Sequence, residues 1–474
     1  MPWRLLWALA LAAAPAFTAQ QGGTPAPDPV ARLIAAGQLD QARRVAEDAV
    51  ATDPRSAAAH DRLGFVLGLQ GNTEGAIAEF QRAVALAPAL ADAQYHLGAT
   101  LWWTKQIPAA REALERAVKL RPTHAESRYY LALTKKQQGD LEGAIADLRD
   151  VVRLDPRLAV AHLHLGADLM EFGDLDGAIA ELERAVALDP SRADSGTTLG
   201  LAYIQKGEAK RAIDTLRRVV DQHPEFGAAR LNLATALLQN GDLVDAVSEY
   251  RELTRREPAS AEAFYDLGLT LKQQDDFEGA ERALRDALRL DPSMPEAPFT
   301  LGVVLWQTGR AEEAVPLFQD ALQRRPDYGE AHYMLGTIYK QRGRVDEALS
   351  EFRETIRLNP SSADAYTSMA QVLNARGDKA GATAAFAEAD RLNKRKADSQ
   401  ASVFAVNAGR ELMTHGQLQP AIARFREAVR LAPDNPQAHY QLALALRSAG
   451  ATADARAELA EAIRLAPYLR IASR

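Results

Sequence analysis

A proline returns every 34 residues through most of this chain, and no other feature restricts its fold so severely. Pro54, Pro88, Pro122, Pro156, Pro190, Pro224, Pro258, Pro292, Pro326 and Pro360 keep one register, and Pro433 and Pro467 resume it after a single insertion. The stretch Ala159–Arg192, AVAHLHLGADLMEFGDLDGAIAELERAVALDPSR, is the repeating unit. Its Leu165-Gly166 pair recurs as Leu131-Ala132, Leu199-Gly200, Leu267-Gly268, Leu301-Gly302 and Leu335-Gly336. A period of this size is the signature of a solenoid, in which each unit packs on its neighbours and the core is a strip that lengthens with every copy.

Within each unit, two apolar patterns of helical period are separated by a break such as Gly71-Asn72, Gly139-Asp140, Gly173-Asp174 or Gly241-Asp242. Glycine ends the first helix, and the acidic or amide residue caps the second. The second helix runs until the closing proline, which lacks a backbone N–H and restricts the residue before it. Small residues hold fixed places. The second helix always has alanine at one site (Ala42, Ala76, Ala110, Ala144, Ala178, Ala212, Ala246, Ala280, Ala314, Ala348, Ala382, Ala421, Ala455), and the first helix has glycine or alanine at the matching one. A mid-helix glycine costs about 1 kcal/mol against alanine. Its recurrence predicts close helix approach there.

Repeat 57–90 supplies Leu63, Gly64, Ala76, Phe80, Ala83 and Pro88 in one register, and in this pattern the chain resembles the tetratricopeptide repeat family. The resemblance implies an all-α, right-handed superhelical solenoid of antiparallel helix pairs. Full copies start at 57, 91, 125, 159, 193, 227, 261, 295, 329, 363, 402 and 436, after an abbreviated one from about Asp28 to Asp53. The family's early tryptophan is missing: its place holds His60, Gln94, Arg128, His162 or Pro298. Residues 28–396 thus form the abbreviated copy plus ten repeats, 397–401 an insertion, and 402–474 two further repeats with a short tail. At the insertion Lys394 stands where proline belongs, so a helix starting near Lys379 is expected to run through NKRKADSQ into the next repeat. Its basic triplet Lys394, Arg395 and Lys396 reads as a solvated face.

The first residues have another character. Arg4, the apolar run Leu5–Ala14 and Pro15 predict a signal peptide over 1–19, with cleavage after Ala16 or Ala19, and a flexible lead-in over 20–27. No later stretch is apolar enough to span a bilayer, so the expectation is an exported protein without a stable membrane anchor, periplasmic or secreted. The chain has no cysteine, which excludes disulfides and thiol catalysis. A net charge of -7 without a broad basic field argues against nucleic acid as partner.

No catalytic constellation is legible. The histidines are scattered, and the closest pair, His162 and His164, points to different sides of a helix. No phosphate loop, zinc motif or nucleophile elbow occurs, so neither catalysis nor a cofactor or metal is expected. The resemblance implies instead a concave groove, lined by first helices, that holds protein or peptide ligands. Counting from the start of each repeat, positions 2, 5, 9, 12 and 13 share one helix face. Position 5 contributes Tyr95, Tyr129, Tyr265, Phe299 and Tyr333; positions 12 and 13 contribute Trp102, Trp103, Lys136, Lys272, Trp306 and Lys340. Tyrosine at position 5 is also explained as repeat framework. Tryptophan is the sharper signal, because a core-filling one belongs at the buried sites. Position 2 is acidic in Asp92, Glu126, Asp194, Glu262, Glu296, Glu330 and Asp364, which favours a basic or neutral ligand. The expected function is a non-catalytic interaction scaffold or adaptor outside the cytoplasm. The alternative is an assembly component of a cell-envelope secretion or polysaccharide-export machine, with self-association through the C-terminal end.

Overall fold

The computed structural model describes residues 28–466. The expected signal peptide and lead-in (1–27) and the tail from Pro467 lie outside the described residues. Among the described residues there are 25 helices and no strand. None of these helices is long and apolar enough to cross a membrane.

The repeating unit shows how local sequence makes the pair. Its first helix, Ala159–Phe172, ends at Gly173, which adopts φ 94° and donates its N–H to the last carbonyls of the helix. An L side chain rarely takes that conformation, so glycine is the natural stop. Asp174 then accepts the Gly177 N–H at 3.0 Å and caps the second helix, Leu175–Leu188. The two helices meet along Ala178, Leu182 and Ala185, all fully buried. A Cβ on Gly166 would stand 2.5 Å from Leu182 Cγ, which is the close approach that the small-residue column demanded.

The chain divides into two compact units, 1–258 and 259–474. In the first, helix pairs run from Pro29–Ala35 to Leu243–Arg256. Phe80, Leu114, Leu148, Leu182 and Leu216 occupy the same place in successive repeats and are all 0% exposed. In the second, from Ala261–Gln273 to Thr452–Leu465, Leu284, Phe318, Phe352 and Phe425 hold that place and are likewise 0% exposed.

The place of the missing tryptophan has its own solution. In His60, His162, His332 and His439 the Nδ1 lies 2.6 Å from the carboxylate of Glu79, Glu181, Glu351 or Glu458 on the second helix. The Nε2 meets the carbonyl of Pro54, Pro156, Pro326 or Pro433, the closing proline of the preceding repeat, at 3.0 to 3.2 Å. Gln94 donates to the Pro88 carbonyl in the same way, and Arg128 reaches both Pro122 and Asp147. At these six boundaries one polar side chain reaches back to the closing proline of the preceding repeat, and in all but Gln94 it also meets a carboxylate on its own repeat's second helix.

At the insertion a single helix covers Lys379–Thr414, 36 residues. It is capped by Asp378, which accepts the Gly381 N–H, and no proline or glycine stop interrupts its backbone ladder before Gly416. Ser402 donates to the Ala428 carbonyl and accepts from the Asn435 amide, and Arg395 pairs with Asp434 at 2.6 Å.

Candidate interaction groove

In the first unit the residues singled out at positions 5 and 12 join a connected run of rings. Tyr95 meets Tyr130 at 6.0 Å and His124 at 4.9 Å, Trp102 meets Tyr130 edge-on at 5.5 Å and Trp103 at 6.4 Å, and Tyr129 lies 5.6 Å from both Tyr130 and His164. Tyr130, at position 6, links the run, and a search of position 5 passes it over. Trp102 corrects the premise that a tryptophan at position 12 stands apart from the core. It packs against the buried cluster around Leu97 and Leu101, and its indole N–H is buried without an acceptor. The physical reason is that position 12 faces the next repeat's first helix, where Tyr130 meets it.

Lys136 is tied down as well. Its ammonium pairs with Asp168 and, at 3.3 Å, with Glu171, both on the following first helix. Burial pushes the Asp168 carboxyl up despite that partner. His164, beside Tyr129, is driven the other way, to about 4, first by burial and then by the charges of Lys136 and Arg192. Burial also lifts the Tyr130 hydroxyl to about 12. This part of the groove is therefore aromatic, with its charges already matched.

The second unit differs. Tyr265 and Tyr333 make long hydroxyl contacts to Thr300 (3.4 Å) and Ser368 (3.5 Å), each in the next repeat, so both serve partly as framework. Phe299 packs on Tyr328 (4.6 Å) and Phe318 (5.7 Å), and Tyr333 on Phe352 (5.8 Å). Lys340 donates to Gln371 at 2.9 Å, and Trp306 and Lys272 are half-buried. Phe299 and Tyr333 come together in a cleft of about 480 Å³, with Met334 and Leu358 as apolar lining and Asp327, Glu330 and Asp364 as carboxylates. These three carboxylates are exposed and have no cationic partner among the described residues.

The acidic edge read at position 2 is accordingly reduced. Arginines neutralise three of its members: Arg121 on Asp92 (2.7 Å), Arg192 on Asp194 (2.7 Å) and Arg325 on Glu296 (2.8 Å). Glu126 stands 3.3 Å from His124, whose pKa burial lowers, so that ring offers no cation at neutral pH. Glu262, Glu330 and Asp364 have no cationic partner among the described residues. Asp266 adds to Glu262: burial, then the Glu262 charge, pushes its carboxyl up to about 6. Sequence spacing could not reveal this, because the neutralising arginines come from loops and not from the groove positions.

Three family models match the chain. Two, both described as tetratricopeptide repeat, match residues 32–91 with 406–469, and 69–136 with 135–197; the third, the C-terminal domain of cilia and flagella-associated protein 70, matches 192–405. No curated relative matches. Among solved structures, YrrB, a tetratricopeptide-repeat protein with an unusual peptide-binding site, is 24% identical over 40% of this chain and 96% of its own, at TM-score 0.36. The pilF protein of Pseudomonas aeruginosa is 21% identical over 43% and 93%, at 0.38. The Cut9–Hcn1 assembly is 13% identical over 88% and 95%, at 0.36. The 34-residue period, the paired helices and the matched models together make this chain a solenoid of tetratricopeptide repeats.

Proposed function

We propose that the chain is a non-catalytic scaffold or adaptor that works outside the cytoplasm and holds a segment of a partner protein along its first helices, with the cleft at Phe299 and Tyr333 as an anchoring point. Tetratricopeptide-repeat proteins generally mediate protein–protein interaction, which supports the class. The observation that carries the site is the cleft itself: an aromatic and methionine lining beside three carboxylates that no cation among the described residues satisfies. Such a surface accepts an apolar anchor flanked by lysine or arginine and disfavours an acidic segment. Export rests on the residue pattern over 1–19. N-terminal sequencing of the protein from its own cells tests it: a mature chain beginning after Ala16 or Ala19 supports export, and an intact Met1 in a soluble cell extract refutes it.

The groove reading is tested with paired synthetic peptides that share an aliphatic anchor and carry either lysines or glutamates around it. Binding is measured by fluorescence anisotropy to the parent chain and to Tyr333→Ala and Glu330→Lys variants. The lysine peptide should bind more tightly, weaken with salt, and lose affinity in both variants while helicity by circular dichroism is unchanged. Equal binding of the two peptides, or binding indifferent to both substitutions, refutes the cleft as the anchor.

A second reading, an assembly component of the cell envelope, has one observation in its favour. Phe386, Val403 and Phe404 are exposed on the long helix.

A further inference from the structure

Phe386 occupies the place held in other repeats of its unit by Leu284, Phe318, Phe352 and Phe425. Those four are 0% exposed and Phe386 is 39% exposed. The difference lies in what comes next along the chain. At an ordinary boundary the next first helix turns back and lies antiparallel across the preceding second helix. Its contacts keep a constant register: position 11 meets position 25 of the repeat before, as Tyr339 does Gln319, and position 14 meets position 18, as Arg376 does Asp346 and Arg342 does Glu312. Where Lys379–Thr414 continues as one helix, that covering helix is carried away from Phe386. The start of the carried-away helix is left bare too: Phe404 is 75% exposed at position 3, where Ala263, Ala297, Ala331, Ala365 and Ala438 of the other repeats in this unit are buried.

The two bare surfaces are complements, since at other boundaries of this unit the second helix and the first helix that follows it pack on each other along these faces. They cannot meet within one straight helix. Position 18 of the repeat that starts at 363 is Ala380 and position 14 of the next is His415; along a continuous helix they lie roughly 50 Å apart. Phe386 and Phe404 are separated by about five whole turns, so both project from one side of the helix. Asn393 and the exposed Ala397 fall on that same side between them. A single straight helix running antiparallel along this side would cover both ends, and the small residues of Ala397–Ala401 leave room at the centre for two backbones to come close.

We infer that this face is occupied by the same face of a second copy of the chain: two Lys379–Thr414 helices pair antiparallel, so that residues 402–466 of each copy stack on the repeat 363–396 of the other. The missing boundary is thereby rebuilt twice, in trans, in the register that the other boundaries use. The occupant is argued from the chain's own repeated boundary, which supplies the only surface shown to fit this one among the described residues. It does not depend on what the groove holds.

The chain has no cysteine, which makes the test direct. Two full-length single-cysteine variants, Ala380→Cys and His415→Cys, both at exposed positions, are mixed, unfolded and refolded together, then treated with a short bis-maleimide. Cross-linked product at twice 51.5 kDa from the mixture, well above that from either variant alone, is the expected result. Light scattering of the parent chain across the micromolar range should give the mass of two copies, and Phe404→Asp should shift it towards one copy with helicity retained. A further variant restores the ordinary boundary by Lys394→Pro with residues 397–401 deleted; it should be a monomer, because the seam can then close within one chain. A parent of one-copy mass that gives no cross-link in the mixture overturns the inference. So does cross-linking within a single chain carrying both cysteines, which would mean that the helix bends back on itself, or that face protected in a monomer by the chain's own terminal residues.

Discussion

Acidification should loosen the groove of the first unit at His164. This imidazole, on the helix Ala159–Phe172, lies 5.6 Å from the Tyr129 ring and faces the charges of Lys136, Arg192 and Asp194. Burial, reinforced by Lys136 and Arg192, lowers its pKa from 6.5 to about 4. The unfolded chain therefore binds a proton at this residue near pH 6.5, whereas the folded chain resists it until about pH 4. Between those values the unfolded state carries more protons, so stability falls as pH falls: the contribution is complete above pH 6.5 and gone below about 4. A shift of roughly 2.5 units corresponds to about 3.5 kcal/mol at most, since one unit is about 1.4 kcal/mol. His164→Gln removes the titration, so the stability of parent relative to variant should fall by that order between pH 7 and pH 4. A long repeat array opens in parts, so the readout is hydrogen exchange of the Ala159–Phe172 amides, corrected for intrinsic rates. A midpoint for His164 at pH 6 or above in a histidine-selective NMR titration, or a parent–variant difference that is flat with pH, refutes the reasoning.

His332 should behave with the opposite sign. Its pKa is raised, chiefly by the hydrogen bond to Glu351, so its stabilisation is full below pH 6.5 and lost as pH rises through the raised value. The stability gap between parent and His332→Gln, followed by exchange in Gly329–Gln341, should therefore narrow from pH 6 to pH 9. Phe352→Ala removes a fully buried ring and should cost about 3–5 kcal/mol locally, read as lost protection in its own and adjacent helices. Gly173→Ala forces a side chain into φ 94° and should cost about 1 kcal/mol, with fraying confined to the turn before Leu175. A cationic peptide in the second unit should bind more tightly as pH rises through about 6, where Asp266 ionises, and Asp266→Asn should flatten that dependence in anisotropy titrations.

The sequence by itself determined the helix pair, its 34-residue period and where each pair stops, because these depend on neighbours a few residues apart. Gly173 ends a helix by its own backbone freedom and Asp174 starts the next by reaching one N–H three residues on. The same local reasoning, from a proline absent at Lys394, anticipated an uninterrupted helix where Lys379–Thr414 is found. What only the tertiary structure decided involves partners one repeat away, which periodicity places near each other without saying whether they touch. Lys136 reads as a free groove cation until Asp168, 32 residues on, is found holding it. The histidines at the lost tryptophan site have no evident task until the glutamate 19 residues later and the preceding proline carbonyl close around them. Of the acidic residues at position 2, only packing shows which meet an arginine and which remain charged around Phe299 and Tyr333. Phe386 has the same residue type and register as Phe352, yet one is sealed and the other open. Burial is a property of what lies across the boundary, and that is settled by the path of the chain and not by the residue.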